Sequence, residues 1–282
     1  MKKRAEKVAF QGEPGAFSQQ AILQLLGPGV TAVPCVWFDE VFRSLAEKRV
    51  DAAVIPIENT LHGSVHENYD HLLEFRLPIV GETSVRIVHN LIAPPGMRFR
   101  DVKKVYSHPV ALNQCLRFFA AHPEIEKVPF YDTAGSVKMI MQDKPAGAAA
   151  IASALAAQVY GAKVLRRSIE DDRENYTRFF LLRREDSAGK LRASGESKAW
   201  KTSLVFTTRN VPGSLFRALS AFALRDLNLV KIESRPLRGK PWEYLFYLDV
   251  IGHLDQPNLQ NAIRHLGELA DMLRVLGCYP RA

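Results

Sequence analysis

The chain has 282 residues, 47% of them hydrophobic and 24% charged, which suits about two globular domains and excludes collagen-like or disordered classes. Its net charge of +8 is dispersed, with +4 over residues 1–184, −1 over 185–197 and +5 over 198–282. Without a long basic run the excess reads as a solvated basic surface, and no nucleic-acid partner is expected.

The N-terminus, Met1-Lys2-Lys3-Arg4-Ala5-Glu6-Lys7, is basic like the start of a signal peptide. Gln11, Gly12, Glu13 and Pro14 then stand where the apolar stretch of a signal belongs, so no leader is expected. Val8-Ala9-Phe10 reads as a short strand running into the turn Gly12-Glu13-Pro14-Gly15. A helix follows, with Ala21, Ile22, Leu25 and Leu26 on one face. Asp39–Val50 repeats the helical spacing with Val41, Phe42, Leu45 and Ala46. Ala52-Ala53-Val54-Ile55 is a continuous apolar run typical of a strand covered on both faces. Val102–Tyr106, Val128–Tyr131 and Ala148–Ile151 repeat the pattern, each with a helix-like segment behind it. The uncharged run Pro145–Ala162 is too weakly apolar for a membrane span and reads as a strand plus an alanine-rich helix. This is α/β alternation around a largely parallel sheet. Ligands of such sheets sit beyond the carboxyl ends of the strands.

Residues 185–199 are polar and small and read as a linker. Downstream the order becomes β-α-β-β-α-β. Strands are expected at Thr202–Thr208, Leu229–Ser234, Tyr244–Ile251 and Leu273–Cys278. Helices are expected at Gly213–Arg225 and along Leu259, Ile263, Leu266 and Ala270. That order is a ferredoxin-like sandwich. The predicted domains are 7–184, a linker 185–199, and 200–282.

Four strand-end loops are rich in polar groups. In Gly12–Ser18 the glycines allow close backbone approach, and Ser18 is either a helix cap or part of an anion site at the helix start. Pro56-Ile57-Glu58-Asn59-Thr60-Leu61-His62-Gly63-Ser64-Val65 brings a carboxylate, an amide and a hydroxyl together, more than one cap requires. Tyr106-Ser107-His108-Pro109 is the third. In Tyr131-Asp132-Thr133-Ala134-Gly135-Ser136, Thr133 or Ser136 serves as a helix cap or as a site residue. The stretch Asn175-Tyr176-Thr177-Arg178-Phe179 puts a hydroxyl beside a guanidinium. Strand alternation sends Thr177 and Phe179 one way and Arg178 the other. It reads either as a polar strand start or as a cleft edge. His62, His66, His71 and His108 lack paired metal spacing, and no nucleophile elbow or phosphate loop is present, so no metal and no cofactor are expected. Three widely spaced cysteines, Cys35, Cys115 and Cys278, fit neither a metal site nor a disulfide framework and suit a reducing cytoplasm. Hydroxyls, amides, one carboxylate and one arginine suit an organic acid and a reaction driven by positioning and proton donation.

The ordered motifs Gly-x-x-Gly-Ala-Phe-Ser, Pro-Ile-Glu-Asn-Thr-x-x-Gly-Ser-Val, Tyr-Ser-His-Pro and Asn-Tyr-Thr-Arg-Phe closely resemble those of monofunctional prephenate dehydratases. Val211-Pro212-Gly213-Ser214-Leu215 and Lys231-Ile232-Glu233-Ser234-Arg235-Pro236 resemble the ACT regulatory domain fused to those enzymes. The resemblance runs from about Val8 to Pro280. It implies a two-lobed catalytic domain similar to type II periplasmic binding proteins, with the active site between the lobes. It implies decarboxylating dehydration of prephenate to phenylpyruvate in phenylalanine biosynthesis, feedback by phenylalanine at the ACT domain, and a homodimer or homotetramer without membrane attachment.

By that resemblance Thr177 is the catalytic residue and Glu58 lines the cleft; the chemistry suggests that Thr177 donates a hydrogen bond to the leaving oxygen, with the proton relayed from Glu58 or water. Arg178, Phe179, Asn59, Thr60, Gly15, Ser18, Ser107, Thr133 and Ser136 would bind substrate. Pro212, Gly213, Ser214, Leu215, Glu233, Ser234, Arg235 and Pro236 would bind phenylalanine. Ser214 stands where the family often has alanine, which bears on the strength of feedback. Arogenate dehydration and non-catalytic amino-acid sensing are the alternative functions.

Overall fold

A computed structural model describes residues 5–188, 199–237 and 239–282. The chain divides into two compact units. One comprises the described residues up to Phe75 together with Thr83–Leu181. The other comprises Arg76–Glu82 and the described residues from Leu182 to Ala282.

The first unit opens with β1 (Lys7–Gln11), α1 (Phe17–Leu26), β2 (Thr31–Cys35), α2 (Phe38–Ala46), β3 (Ala52–Asn59), the short β4 (Gly63–Ser64) and α3 (His66–Phe75). The apolar stripe of α2 explains its docking: Val41, Phe42 and Leu45 are fully buried while Asp39 and Arg43 pair in solvent. β1 lies parallel to both β2 and β3, and Ala52–Ile55 is wholly buried, as expected of a strand covered on both faces.

β5 (Ile79–Arg86) then leads across to β6 (Asn90–Ala93) and a second sheet. That sheet continues with β7 (Lys104–Ser107), α4 (Pro109–Asn113), α5 (Leu116–Ala121), β8 (Glu126–Pro129), α6 (Thr133–Asp143), β9 (Ala148–Ala152), α7 (Ala154–Tyr160) and β10 (Lys163–Arg166), in the order β10-β6-β9-β7-β8. The chain returns through β11 (Tyr176–Leu182), which lies between β5 and β3 in the first sheet. Two sheets joined by two crossings, near residues 86–90 and 166–176, make two lobes. The second lobe packs around Val105, Leu112, Cys115, Ala149 and Ile151.

The expected parallel sheet holds for β7 with β8 and β9. It fails at the crossings: β6 pairs antiparallel with β9, and β10 antiparallel with β6. β6 and β10 are the strands by which the chain enters and leaves this lobe, so the strand-helix-strand repeat that gives parallel neighbours is interrupted at both. The alanine-rich segment folds as read, with β9 fully buried and α7 capped by Ser153, whose Oγ accepts from Ala156 N at 3.0 Å.

The second unit runs α8 (Glu185–Ala188), β12 (Trp200–Thr207), α9 (Ser214–Ala223), β13 (Leu229–Pro236), β14 (Tyr244–Ile251), α10 (Pro257–Leu269) and β15 (Met272–Pro280). Its antiparallel sheet, ordered β13-β14-β12-β15, is the expected βαββαβ sandwich, with both helices packed over Leu204, Phe206, Phe222, Leu248 and Leu266. Ile79, at the start of β5, pairs parallel with Gly277 of β15, and Lys201 forms a buried ion pair with Glu82. Residues 76–82 therefore pack with this unit although they precede it by a hundred residues. The expected linker begins with the helical turn α8, and its residues 189–198 lie outside the described ones.

Candidate active site

The end of β3 lies beside the start of β11, and their polar residues are locked together. Asn59 Nδ2 donates to Asn175 Oδ1 at 2.7 Å, to Thr177 Oγ1 at 3.0 Å and to Tyr176 O at 3.1 Å. Its Oδ1 accepts from the backbone N–H groups of Leu61 and His62, both at 3.0 Å. Backbone N–H groups only donate, so they fix which end of the amide is oxygen and which faces Thr177. Thr177 Oγ1 accepts from Asn59, which leaves its own proton available for a further acceptor.

A cavity of about 270 Å³ opens here, near the lower end of the usual range for small-molecule sites, about 300–1,000 Å³. Thr177, Phe179, Asn59, His62, Pro56 and Val65 form one side, and Phe17 and Ser18 enter from the start of α1. Val110, Ala111, Gln114, His108 and Thr133 come from the second lobe, and Ile87 and His89 from the crossing between lobes. Aromatic and aliphatic walls surround a few hydroxyls, amides and imidazoles. Among the described residues no Asp or Glu lines it.

Of the predicted site residues, Thr177, Phe179, Asn59, Ser18 and Thr133 meet in this cavity. Arg178 does not line it. Alternation along β11 turns Arg178 to the opposite face, where its NH1 pairs with Glu58 Oε1 at 3.2 Å and its guanidinium lies 4.9 Å from the Phe180 ring centre. Glu58 is likewise outside the cavity lining, so neither side of this pair is placed against a bound molecule there.

Thr60 ties the strand ends instead: its hydroxyl donates to Glu174 O at 2.8 Å and accepts from Tyr176 N at 3.0 Å. Ser107 and Ser136 are fully buried and spend their hydroxyls on Ile151 O at 2.6 Å and Asp132 O at 2.7 Å. The capping expectations also shift. Ala16, not Ser18, is the N-cap of α1 and offers no side-chain cap. Asp132, not Thr133 or Ser136, caps α6, with Oδ1 accepting from Gly135 N at 2.7 Å. Gly15 has φ +92° and backs onto α7, where an added Cβ would lie 2.5 Å from Ala156 Cα. The close approach expected of this glycine is made to another backbone segment.

His89 and Gln114 were not singled out in the sequence. Gln114 Oε1 lies 2.7 Å from His89 Nε2, and its Nε2 lies 3.1 Å from His62 Nδ1. Burial holds His89 below the ordinary imidazole value, only partly opposed by Gln114 and Glu170, so the ring is neutral. As a neutral ring it donates through Nε2 to Gln114 Oε1, and Gln114 Nε2 then donates to His62 Nδ1. At the lobe rims, Glu13 accepts from Tyr131 Oη at 2.9 Å and from Lys138 Nζ at 3.0 Å. Burial first, and Glu13 next, push the Tyr131 phenol up to about 12.

In the second unit, Gly213 takes φ +76° as the N-cap of α9, Ser214 Oγ accepts from Thr208 Oγ1 at 3.3 Å, and Pro212 O accepts from Arg217. Leu215 packs on the core, while Glu233, Ser234, Arg235 and Pro236 lie along β13, where Glu233 faces Lys231 Nζ at 3.6 Å. Among the described residues no group of three His, Cys, Asp or Glu is arranged to hold a metal ion, and no helix is long and apolar enough to cross a membrane.

The fold and the cleft define a two-lobed α/β domain with a largely apolar cavity that carries a few polar groups, followed by a ferredoxin-like module. The prephenate dehydratase family model matches residues 8–187, and the ACT domain model matches 202–268. The chain belongs to the prephenate dehydratase family and is an enzyme of the hydro-lyase type. It is 44% identical over 283 residues to arogenate dehydratase/prephenate dehydratase 2, chloroplastic, of Arabidopsis thaliana, covering 97% of this chain and 72% of that one. Prephenate dehydratase from Arthrobacter aurescens, solved in complex with L-Phe, superposes with a TM-score of 0.87 at 32% identity, covering 98% of this chain and 90% of the other. The structure described as GqqA, a novel type of quorum quenching acylase, superposes with a TM-score of 0.89 at 34% identity over 98% of both chains.

Proposed function

We propose that the cleft converts prephenate to phenylpyruvate, with loss of water and carbon dioxide, as a step toward L-phenylalanine. The observation that carries this reading is the Asn59 amide donating to Thr177 Oγ1 at 3.0 Å within the cavity. A hydroxyl held as an acceptor on one side directs its proton to the other, and accepting a bond strengthens it as a donor. Prephenate loses its ring carboxylate as carbon dioxide, the electron pair of that C–C bond makes the ring aromatic as the C–O bond to the ring hydroxyl breaks, and the departing hydroxide takes up one proton from solvent to leave as water. Thr177 donates a hydrogen bond to that oxygen as charge develops on it. The ring, becoming aromatic, lies between Phe17, Phe179 and Ile87.

Ser18 and the uncapped first turn of α1 suit a substrate carboxylate, because helix-start N–H groups lack intrahelical partners. Thr133 and Gln114 supply polar contacts from the facing wall, and His62 supplies one from the Thr177 side. Glu58 and Arg178 act through the strands: their pairing behind β3 and β11 keeps Thr177 in register. Prephenate is favoured over arogenate because arogenate carries an ammonium where prephenate has a ketone, and among the described residues no carboxylate lines the cavity to receive it.

L-Phenylalanine is the effector, bound at the ACT module around Pro212–Leu215 and Glu233–Pro236. The active form is a homodimer or homotetramer, which the exposed edge strand β13 with Val230 and Ile232 supports. The domain division assigned is 7–184, 185–199 and 200–282, and the compartment is the cytoplasm, where the unpaired Cys35, Cys115 and Cys278 stay reduced. The test is incubation of the purified chain with prephenate and separately with arogenate, each with and without phenylalanine. Aromatic product from prephenate, suppressed by phenylalanine, is expected. Turnover of arogenate alone would overturn the substrate assignment, and turnover of neither would leave a binding protein.

A further inference from the structure

A second cavity, of about 400 Å³, shares only Phe17 with the catalytic cleft. Both lobes and both crossings contribute to it. Its charge is one-sided: Arg86 and Arg167 line it, and among the described residues no Asp or Glu does. Arg86 spends Nε on Arg173 O at 2.9 Å and one NH2 hydrogen on Glu170 Oε1 at 3.2 Å, leaving its remaining N–H groups for another acceptor. Among the described residues Arg167 makes no hydrogen bond or ion pair. The amides of Gln20 and Gln158, from α1 and α7, face the same space. Val88, Leu155 and the back of Phe17 supply the apolar part of the lining.

Two guanidinium groups, two amide donors and an apolar wall match a carboxylate carried on a short hydrocarbon. We propose that this cavity is a second ligand site, separate from the catalytic cleft, that binds a small monocarboxylate with an apolar body. The carboxylate lies between Arg86 and Arg167, Gln20 and Gln158 donate to its oxygens, and the hydrocarbon rests on Val88, Leu155 and Phe17. The ligand bridges the lobes, since Gln20 and Gln158 belong to different ones. It also lies close to the cleft. Glu170, which holds Arg86 through Oε1, accepts from His89 N through Oε2 at 2.9 Å.

The experiment is calorimetric titration of the full chain with valerate, which reads binding and is independent of any turnover. Wild type is expected to bind valerate with millimolar or better affinity. Arg167→Gln should weaken that affinity about tenfold, or about 1.4 kcal/mol. Gln158→Ala should weaken it less, and thermal unfolding checks that both variants are folded. Val110→Trp, which fills the catalytic cleft, should leave valerate binding intact. Failure of wild type to bind, or equal affinity in Arg167→Gln, overturns the proposal. So does binding lost in Val110→Trp but kept in Arg167→Gln, which would put valerate in the cleft. Inorganic phosphate binding as tightly as valerate would reduce the site to simple charge recognition and overturn the stated ligand class.

Discussion

Asn59→Asp separates the two jobs assigned to Asn59. A carboxylate still accepts from Leu61 N and His62 N, so the turn after β3 survives. It cannot donate, so the bonds to Asn175 Oδ1, Tyr176 O and Thr177 Oγ1 are lost. Thr177 is then drawn to donate to the new carboxylate, which turns its proton away from the substrate. At about 0.5–1.5 kcal/mol net per bond, two donated protons are worth about 1–3 kcal/mol of stability. For a unit of this size that is a melting-point drop of roughly 3–10 °C. Removing one preorganised donor from a developing oxyanion costs about 10²–10³ in kcat. The assay is phenylpyruvate formation at saturating prephenate, with Asn59→Ala as control. Alanine loses both sets of bonds but cannot capture the Thr177 proton. Asp should therefore be slower than Ala although better folded. An Asp variant within fivefold of wild type, or one clearly faster than Ala, would refute the donor argument.

Three other outcomes follow from the same geometry. Gly15→Ala forces a Cβ to within 2.5 Å of Ala156 Cα at φ +92°, so strain and overlap should cost about 2–6 kcal/mol in thermal unfolding; an unchanged melting point would mean the two lobes do not meet there. Arg178→Gln should lower kcat while holding KM for prephenate within about threefold, because the side chain faces Glu58; a KM raised tenfold to a hundredfold, as loss of a charged contact at about 1.5–3 kcal/mol would give, would show that Arg178 grips the substrate. His89 is held neutral by burial, so the unfolded chain takes up its proton more readily than the folded one. Stability should therefore fall as pH drops through about 6.5, and His89→Gln should flatten that slope between pH 5 and 7; an identical slope in the variant would assign it to other groups.

How much of this could be read beforehand depended on how local the signal was. Ala52–Ile55 and the stripe of α2 announced themselves through periodicity, because burial on one or both faces is written into consecutive residues. The parity of Thr177, Arg178 and Phe179 was legible too, and it already placed Arg178 on the wrong face to share a cavity with Thr177. The family resemblance implies substrate binding by Arg178 all the same, while its guanidinium pairs with Glu58, and the Arg178→Gln kinetics distinguish the two roles. The four-residue strands β6 and β10 carry too few residues for a period, and Pro34 obscures β2. His89 and Gln114 sit in no motif. They become site residues because the crossing between lobes brings residue 89 to within 2.7 Å of residue 114, a tertiary fact with no local trace. Ser107 and Ser136 show the converse, since serines after strands looked like site residues and instead satisfy buried carbonyls.

The measurement that bears most directly on the central assignment is the turnover of prephenate by Thr177→Ala and Thr177→Ser, with folding checked by thermal unfolding. If the Thr177 hydroxyl donates to the departing oxygen, Ala should lose about two orders of magnitude or more in kcat and Ser should stay within about tenfold of wild type. An Ala variant that is folded and turns over prephenate at a near-normal rate would contradict the account.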